Sequence, residues 1–166
     1  MRARAFAIAI VAGLLAAAPV AMAMATGGTR PKPVDATDDY ALAVQLIQAQ
    51  EFAAAIPHLE AALKLRPKDA DVLNYLGYAH RMVGTSEQGE ARDKDFAQSL
   101  DFYSRALALD PKHRGVHEYL GELYLQMNKP DEAKHELEVL TLLCPDGCIE
   151  RDTLAKAIAG QRPDGW

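Results

Sequence analysis

The fold is decided by one stretch of the sequence, Ala55-Ile56-Pro57-His58-Leu59-Glu60-Ala61-Ala62-Leu63-Lys64-Leu65-Arg66-Pro67. Two small residues stand seven positions apart, a large apolar residue lies between them, and a proline ends the run. The same four places recur twice, filled by Ser99, Tyr103, Ala106 and Pro111 and then by Ala133, Leu137, Leu140 and Pro145. A pattern that recurs in this way predicts stacked structural repeats and not a single helical bundle.

A second pattern precedes the later two copies, because Tyr-Leu-Gly occurs at residues 75–77 and again at 119–121. Together the two patterns resemble the tetratricopeptide repeat, a helix-turn-helix unit of about 34 residues that has Leu-Gly in its first helix, small residues in its second and a proline at its end. The resemblance implies an all-α fold, an α-solenoid of three repeats with a C-terminal capping helix. We place the repeats at 36–69, 70–113 and 114–147 and the capping helix and tail at 148–166.

Two of these repeats depart from the family pattern. The first has Leu42-Ala43 where Leu-Gly is usual, which is acceptable because a terminal repeat is often atypical. The second carries about ten residues more than the standard 34-residue unit, and the excess lies between Gly84 and Phe96. We expect its charged part, Thr85 to Asp95, to form a solvated loop that runs into a longer second helix, with a partner-contacting loop as the alternative.

The N-terminus has the layout of a secretory signal peptide. Arg2 and Arg4 precede an uncharged apolar run, and two Ala-x-Ala cleavage sites follow, at residues 21–23 and 23–25. We therefore predict a signal peptide over residues 1–25, a flexible lead-in over 26–35, and a periplasmic or secreted mature protein. The alternative is an uncleaved N-terminal helix that anchors the chain, since an apolar run of about 20 residues can span a bilayer.

Composition limits the classes of partner. Of the 166 residues 49% are hydrophobic and 25% charged, which is typical of a folded domain. The net charge of -5 would become -7 if Arg2 and Arg4 were removed with the signal peptide, and no cluster of Lys or Arg follows. Binding to nucleic acid or to an anionic membrane surface is therefore not expected.

The only cysteines, Cys144 and Cys148, flank the turn sequence Pro-Asp-Gly. In an exported chain this spacing favours a structural disulfide that ties the third repeat to the capping helix. The alternatives are a redox-active pair or a soft-metal site for an ion such as copper(I). A small periplasmic metal or thiol carrier that uses these two cysteines is accordingly the rival function.

The positions of the histidines do not indicate a metal site, and the absence of common catalytic motifs does not favour an enzyme. His113 and His117 stand four residues apart, which on one continuous helix could present two imidazoles to a metal, but Gly115 and the repeat boundary separate them. The sequence contains no Gly-x-Ser-x-Gly, no phosphate-binding glycine loop and no His-Glu-x-x-His. We predict no metal, no cofactor and no catalytic residue.

The resemblance implies where a partner binds, because the first helices of successive tetratricopeptide repeats line a concave groove that receives an extended peptide or a helix. The matching positions are Tyr40, Val44, Ile47, Asn74, Tyr78, Arg81, Glu118, Glu122 and Leu125. On this prediction the groove is apolar at its first end, polar with one cation in its middle and acidic at its last end. An apolar segment that ends in basic residues would suit it. The expected function is that of an exported scaffold or assembly factor that binds an envelope protein of unknown identity.

Overall fold

The computed structural model describes the backbone of residues 36–161 and the side chains of residues 39–161. The predicted signal peptide, its cleavage sites, the lead-in at 26–35 and the tail after residue 161 lie outside the described residues. In the described part there are seven helices and no strand. The helices are α1 (Ala36–Gln48), α2 (Phe52–Leu65), α3 (Ala70–Ser86), α4 (Gly89–Leu109), α5 (Arg114–Gln126), α6 (Pro130–Leu143) and α7 (Ile149–Ile158).

The helices pack in consecutive pairs, as the repeat pattern predicts. α1 packs on α2, α3 on α4 and α5 on α6, while α3 also touches α5, and α7 closes the series against α5 and α6. The all-α repeat solenoid predicted from the sequence is confirmed. None of the described helices combines the length and the apolar composition that crossing a bilayer requires.

Repeat boundaries have a common chemistry. Pro67 and Pro111 each follow the end of a second helix, where their missing amide hydrogen costs nothing. The next helix then begins with a side-chain cap: the Val72 amide donates to Asp69 Oδ1 at 3.1 Å, and the Val116 amide donates to His113 Nδ1 at 3.2 Å. Such a cap satisfies one of the free amides of a helix N-terminus and sets where each repeat starts.

The turn inside the repeat is the same in the first and third units. Gln50 and Asn128 both adopt left-handed backbone conformations, with φ of 61° and 58°. In the first turn the Glu51 amide donates to the Leu46 carbonyl at 2.8 Å, and in the third the Lys129 amide donates to the Tyr124 carbonyl at 2.8 Å. This is the hydrogen-bonding pattern that ends many helices and satisfies their last carbonyls.

The insertion in the second repeat lengthens two helices instead of forming a loop. α3 has 17 residues against 13 in α1 and α5, and α4 has 21 against 14 in α2 and α6. Only Glu87 and Gln88 connect them. The expectation of a solvated loop over residues 85–95 is therefore wrong, because Gly89 begins α4 and the residues after it continue the helix, whereas the longer second helix that was expected to follow it is found.

Two glycines allow the closest approaches in the core. A Cβ atom on Gly77 would lie 2.5 Å from the ring of the fully buried Tyr103 of α4, and one on Gly121 would lie 2.5 Å from Leu154 of α7. Ser99, also fully buried, donates its hydroxyl to the Gly77 carbonyl at 2.7 Å. The Leu-Gly positions are thus small because another helix passes directly over them, as the sequence predicts.

The helix pairs are also joined by histidine–carboxylate contacts. In the first repeat Asp39, the fourth residue of α1, contacts His58, the seventh residue of α2, at 2.9 Å. In the third repeat the same two places hold His117 and Glu136, at 2.6 Å. Acid and base have exchanged helices. The second repeat has the apolar Leu73 at the fourth place of α3 and is joined further along by His80 and Asp95, at 2.6 Å.

Candidate functional site

A cluster of partly exposed aromatic side chains lies on the first helices of the repeats and at the start of α2. We call Tyr40, Tyr75, Tyr78, Tyr119 and Phe52 the aromatic cluster. Ring centroids are 5.9 Å apart between Tyr40 and Tyr75, 5.6 Å between Phe52 and Tyr78, and 4.8 Å between Tyr78 and Tyr119. The Arg66 guanidinium lies 4.7 Å from the Tyr40 ring centre. Aromatic rings that remain partly open to solvent are the residues that most often anchor a bound protein segment.

Beneath the aromatic cluster, Arg81 of α3 and Glu122 of α5 form an ion pair with each other. Arg81 Nη2 lies 2.8 Å from Glu122 Oε2, and the two side chains are only 3% and 4% exposed. The guanidinium also lies 5.3 Å from the ring centre of Tyr78 and 5.8 Å from that of Tyr119. Arg81 therefore supports the floor of the groove, and the cation expected in the middle of the groove already has a carboxylate partner.

Asn74 belongs to the same floor. It is 6% exposed, and no hydrogen bond to its Oδ1 atom is found among the described residues. Its Nδ2 atom lies 3.4 Å from the position that a Cβ atom on Gly115 of α5 would take. Asn74 thus lies in the contact between α3 and α5, so that three of the nine predicted groove residues are buried.

Glu118 is the acidic residue of the groove that stays accessible. Its pKa is raised to about 8, mainly by burial and also by the nearby carboxylates of Glu122 and Glu150, while Arg81 and a hydrogen bond to Thr153 oppose the rise. Burial also raises the pKa of Glu122, to about 7, against the opposing effect of Arg81. Among the described residues, Glu122 forms an ion pair with Arg81 and Glu150 forms one with Arg114, whereas Glu118 forms none. A cation that reached Glu118 would therefore find a half-buried carboxyl group without an ion-pair partner, and it would stabilise the ionised form of that group.

The raised pKa of Glu118 predicts a stability that depends on pH. An acid whose pKa rises on folding stabilises the folded state while it is protonated, so this contribution is complete below about pH 4.5 and is lost as the pH rises through about 8. Glu118→Gln stays neutral throughout. After allowance for solvent access we expect the variant to be about 1–2 kcal/mol more stable than wild type at about pH 9, and close to wild type at about pH 4.5.

Urea unfolding at the two pH values measures this difference, with Glu138→Gln on the exposed face of α6 as the control. The control is expected to differ from wild type by the same small amount at both pH values. An equal offset for Glu118→Gln would contradict the raised pKa.

The remaining predicted groove residues, Val44 and Ile47 of α1 and Leu125 of α5, are partly exposed. That the nine residues bind a partner stays a prediction. Sequence reasoning missed Tyr75, Tyr119, Phe52 and Arg66. A signal for the first two existed, since Tyr75 and Tyr119 both directly precede Leu-Gly and so occupy the sixth place of α3 and α5.

The two cysteines lie at the junction of α6 and α7. Cys144 follows the last residue of α6 and Cys148 caps α7, with 6.0 Å between their Cα atoms, and the structure pairs their sulfur atoms. The Arg151 guanidinium donates to the Cys144 and Pro145 carbonyls at 3.2 Å each. The oxidation state of the pair stays a prediction.

His113 and His117 do not face a common point. His113 contacts Asp71 through Nε2 at 3.0 Å and uses Nδ1 for its helix cap. His117 donates from Nε2 to the Pro111 carbonyl at 3.1 Å and contacts Glu136 through Nδ1 at 2.6 Å. Burial lowers the pKa of His117, but the bonds to Glu136 and Pro111 outweigh it, so the pKa is raised. Over residues 39–161 no three His, Cys, Asp or Glu side chains are grouped as a metal site requires.

Known proteins match the chain in two ways, through a family model that covers part of the sequence and through solved structures with a similar fold. The model of the tetratricopeptide repeat family matches residues 90–155. No curated protein matches the chain. The type III secretion translocator chaperone SycD of Yersinia enterocolitica is 18% identical, with a TM-score of 0.61, over 76% of this chain and 87% of that chain.

Two further solved structures have the same fold. PcrH, in complex with the chaperone binding region of PopD, is 21% identical, with a TM-score of 0.59, over 75% of this chain and 85% of its own. The first tetratricopeptide domain of Spaghetti (RPAP3), bound to an HSP90 peptide, is 18% identical, with a TM-score of 0.59. The match covers 75% of this chain and 90% of that domain's chain. Residues 90–155 thus match the tetratricopeptide repeat family, and the chain has the fold of these tetratricopeptide-type proteins.

Proposed function

We propose that the chain is a protein-interaction module that binds an extended or helical segment of a partner on the surface formed by α1, α3, α5 and α7. The observation that carries the proposal is the aromatic cluster next to Glu118, a surface that combines partly exposed rings with a half-buried carboxyl group, which a bound Lys or Arg would ionise. PcrH and the RPAP3 domain, whose structures contain a bound region or peptide, support it as proteins of the same fold.

The chemistry of this surface indicates what kind of segment it takes. Apolar or aromatic side chains of the segment would pack on the rings of Tyr40 and Tyr78, and a Lys or Arg would pair with Glu118. Because Arg81 is buried and already paired with Glu122, it is not accessible to an acidic segment. A segment that is apolar at one end and basic at the other is therefore favoured.

Selection from a displayed library of short random peptides tests this proposal. The full chain is expected to enrich peptides with an apolar part and a basic end. Tyr78→Ala is expected to weaken their binding about tenfold or more, because it removes a central aromatic anchor. Glu118→Lys should remove the preference for basic residues, whereas Glu138→Lys, the same reversal on α6, should leave it unchanged. Failure to enrich any peptide, or enrichment that neither groove variant alters, would contradict the proposal.

We also propose that the chain is exported through cleavage of residues 1–25 and acts in the periplasm or outside the cell, on an envelope protein. Cys144 and Cys148 would then form a disulfide that fixes α7 to α6, since structural disulfides persist in oxidising compartments. Thiol titration and mass measurement of the mature protein test both points. Free thiols that bind copper(I) stoichiometrically would instead favour the metal or thiol carrier.

A further inference from the structure

The longer α3 of the second repeat forms one wall of a cavity that a repeat of standard length would lack. The cavity has a volume of about 860 Å³. One side is formed by the turn between α1 and α2 and by the start of α2, including Glu51 and Ala54, and the other by the end of α3 and the residue after it, including Met82 and Glu87. We call it the insertion cavity. α3 is four residues longer than α1 and α5, so that the part of the wall after Met82 exists only because of the insertion.

The insertion cavity continues the aromatic cluster. Phe52 belongs to both, because it lines the cavity while its ring contacts the ring of Tyr78 at 5.6 Å. Met82 lies one turn of α3 beyond Tyr78 and is partly exposed, as is Phe52. A segment bound over Tyr78 can therefore place a side chain in the cavity without leaving the protein surface.

The walls of the cavity favour an apolar side chain. Thr85 donates its hydroxyl to the Arg81 carbonyl at 2.8 Å, and Ser86 donates its hydroxyl to the Val83 carbonyl at 2.7 Å. The hydrogens of these two hydroxyls are already donated within α3, so the wall they belong to offers an incoming acceptor group little compensation for lost water. The other contributions to that wall include the aliphatic side chains of Met82 and Val83.

The charges at the rim point to the residues that flank such a side chain. Glu51 and Glu87 are the charged residues among those that line the cavity, and no basic residue lines it. Lys94 and Asp95 act on Glu87 from the α4 side. A neighbouring Asp or Glu on the bound segment would be repelled by two carboxylates, whereas a neutral or basic neighbour would not.

From this geometry we propose that the insertion cavity is a specificity subsite, which takes one large apolar side chain, flanked by neutral or basic residues, from the segment bound on the aromatic cluster. The proposal rests on the proposed function, since it assumes a bound segment. It adds that the lengthening of α3 selects which segments bind.

The test fills the cavity without disturbing the core. Ala53 and Ala54 are exposed in the first turn of α2 and line the cavity, so that Ala53→Arg and Ala54→Arg block it with little cost in stability. Ala91→Arg is the matched control, because Ala91 is exposed in the first turn of α4 and does not line the cavity. Each full-length variant is used to select from the same library of short random peptides, and affinities are measured by fluorescence anisotropy.

On wild type and Ala91→Arg, the selected peptides should share one position that is large and apolar, and replacement of that residue by Ala should weaken binding about tenfold. On Ala53→Arg and Ala54→Arg the shared position should disappear, and the same peptide replacement should have almost no effect. An unchanged shared position on the blocked variants would overturn the cavity proposal while peptide binding itself stands. If wild type selects nothing, the proposed function fails and the subsite fails with it.

Discussion

Arg81→Ala is expected to lower the free energy of unfolding by about 3–5 kcal/mol, because it leaves the buried carboxylate of Glu122 without its cation. Measurement at about pH 8 keeps most of Glu122 ionised in the wild type, since burial raises its pKa to about 7. Arg105→Ala is the control. It breaks an exposed pair with Asp101, formed at 3.3 Å with 48% and 64% of the two side chains exposed, and should cost about 0.5 kcal/mol or less.

A double variant separates burial of charge from loss of packing. Arg81→Leu with Glu122→Leu removes both charges and keeps apolar volume, so it should be clearly more stable than Arg81→Leu alone. Urea unfolding of the variants measures these differences. If Arg81→Ala lowers the free energy of unfolding as little as Arg105→Ala does, Arg81 and Glu122 are not a buried pair in solution. Arg81 would then count among the accessible groove residues.

Gly77→Ala is expected to destabilise the chain by about 2–3 kcal/mol, although alanine is the better helix former. The added Cβ atom would lie 2.5–2.9 Å from three atoms of the Tyr103 ring, which is fully buried and cannot move aside. Gly115→Ala is the same substitution in α5, where the nearest atom lies 3.4 Å from the new Cβ. That control should be neutral or stabilising by up to about 1 kcal/mol.

Thermal unfolding compares the two glycine variants. Adding Tyr103→Leu to Gly77→Ala should give a smaller loss than the sum of the single losses, because the smaller side chain removes the clash. Equal stability of Gly77→Ala and Gly115→Ala would contradict the close contact between α3 and α4.

The sequence predicts the repeats well because each repeat uses the same local chemistry. Leu-Gly, the small residues of the second helix and the terminal proline are set by contacts within one helix pair, and so they can be read in order along the chain. Ala62, Ala106 and Ala133 are accordingly buried. The insertion shows the limit of this reasoning. Gly89 indicates a loop, yet the good helix formers after it, from Glu90 onward, extend α4.

The candidate site was less predictable because it depends on contacts between repeats. Arg81 and Glu122 occupy groove positions by family pattern, but whether they face a partner or each other is decided by the spacing between α3 and α5, which neither residue reveals in sequence. This matters for experiments. Reversing the charge of Glu122 would test the fold of the protein, whereas reversing Glu118 tests the groove.

The exchanged acid and base of the first and third repeats discriminate between correct and incorrect helix partners. If α1 packed on α6 in place of α2, Asp39 would meet Glu136, and if α5 packed on α2, His117 would meet His58. Both mistakes bring like groups together, and a pair of carboxylates or of protonated imidazoles repels at contact distance. The first and third repeats are alike in their apolar pattern but place the acid and the base on opposite helices. This difference in charge favours the packing of each first helix on the second helix of its own repeat.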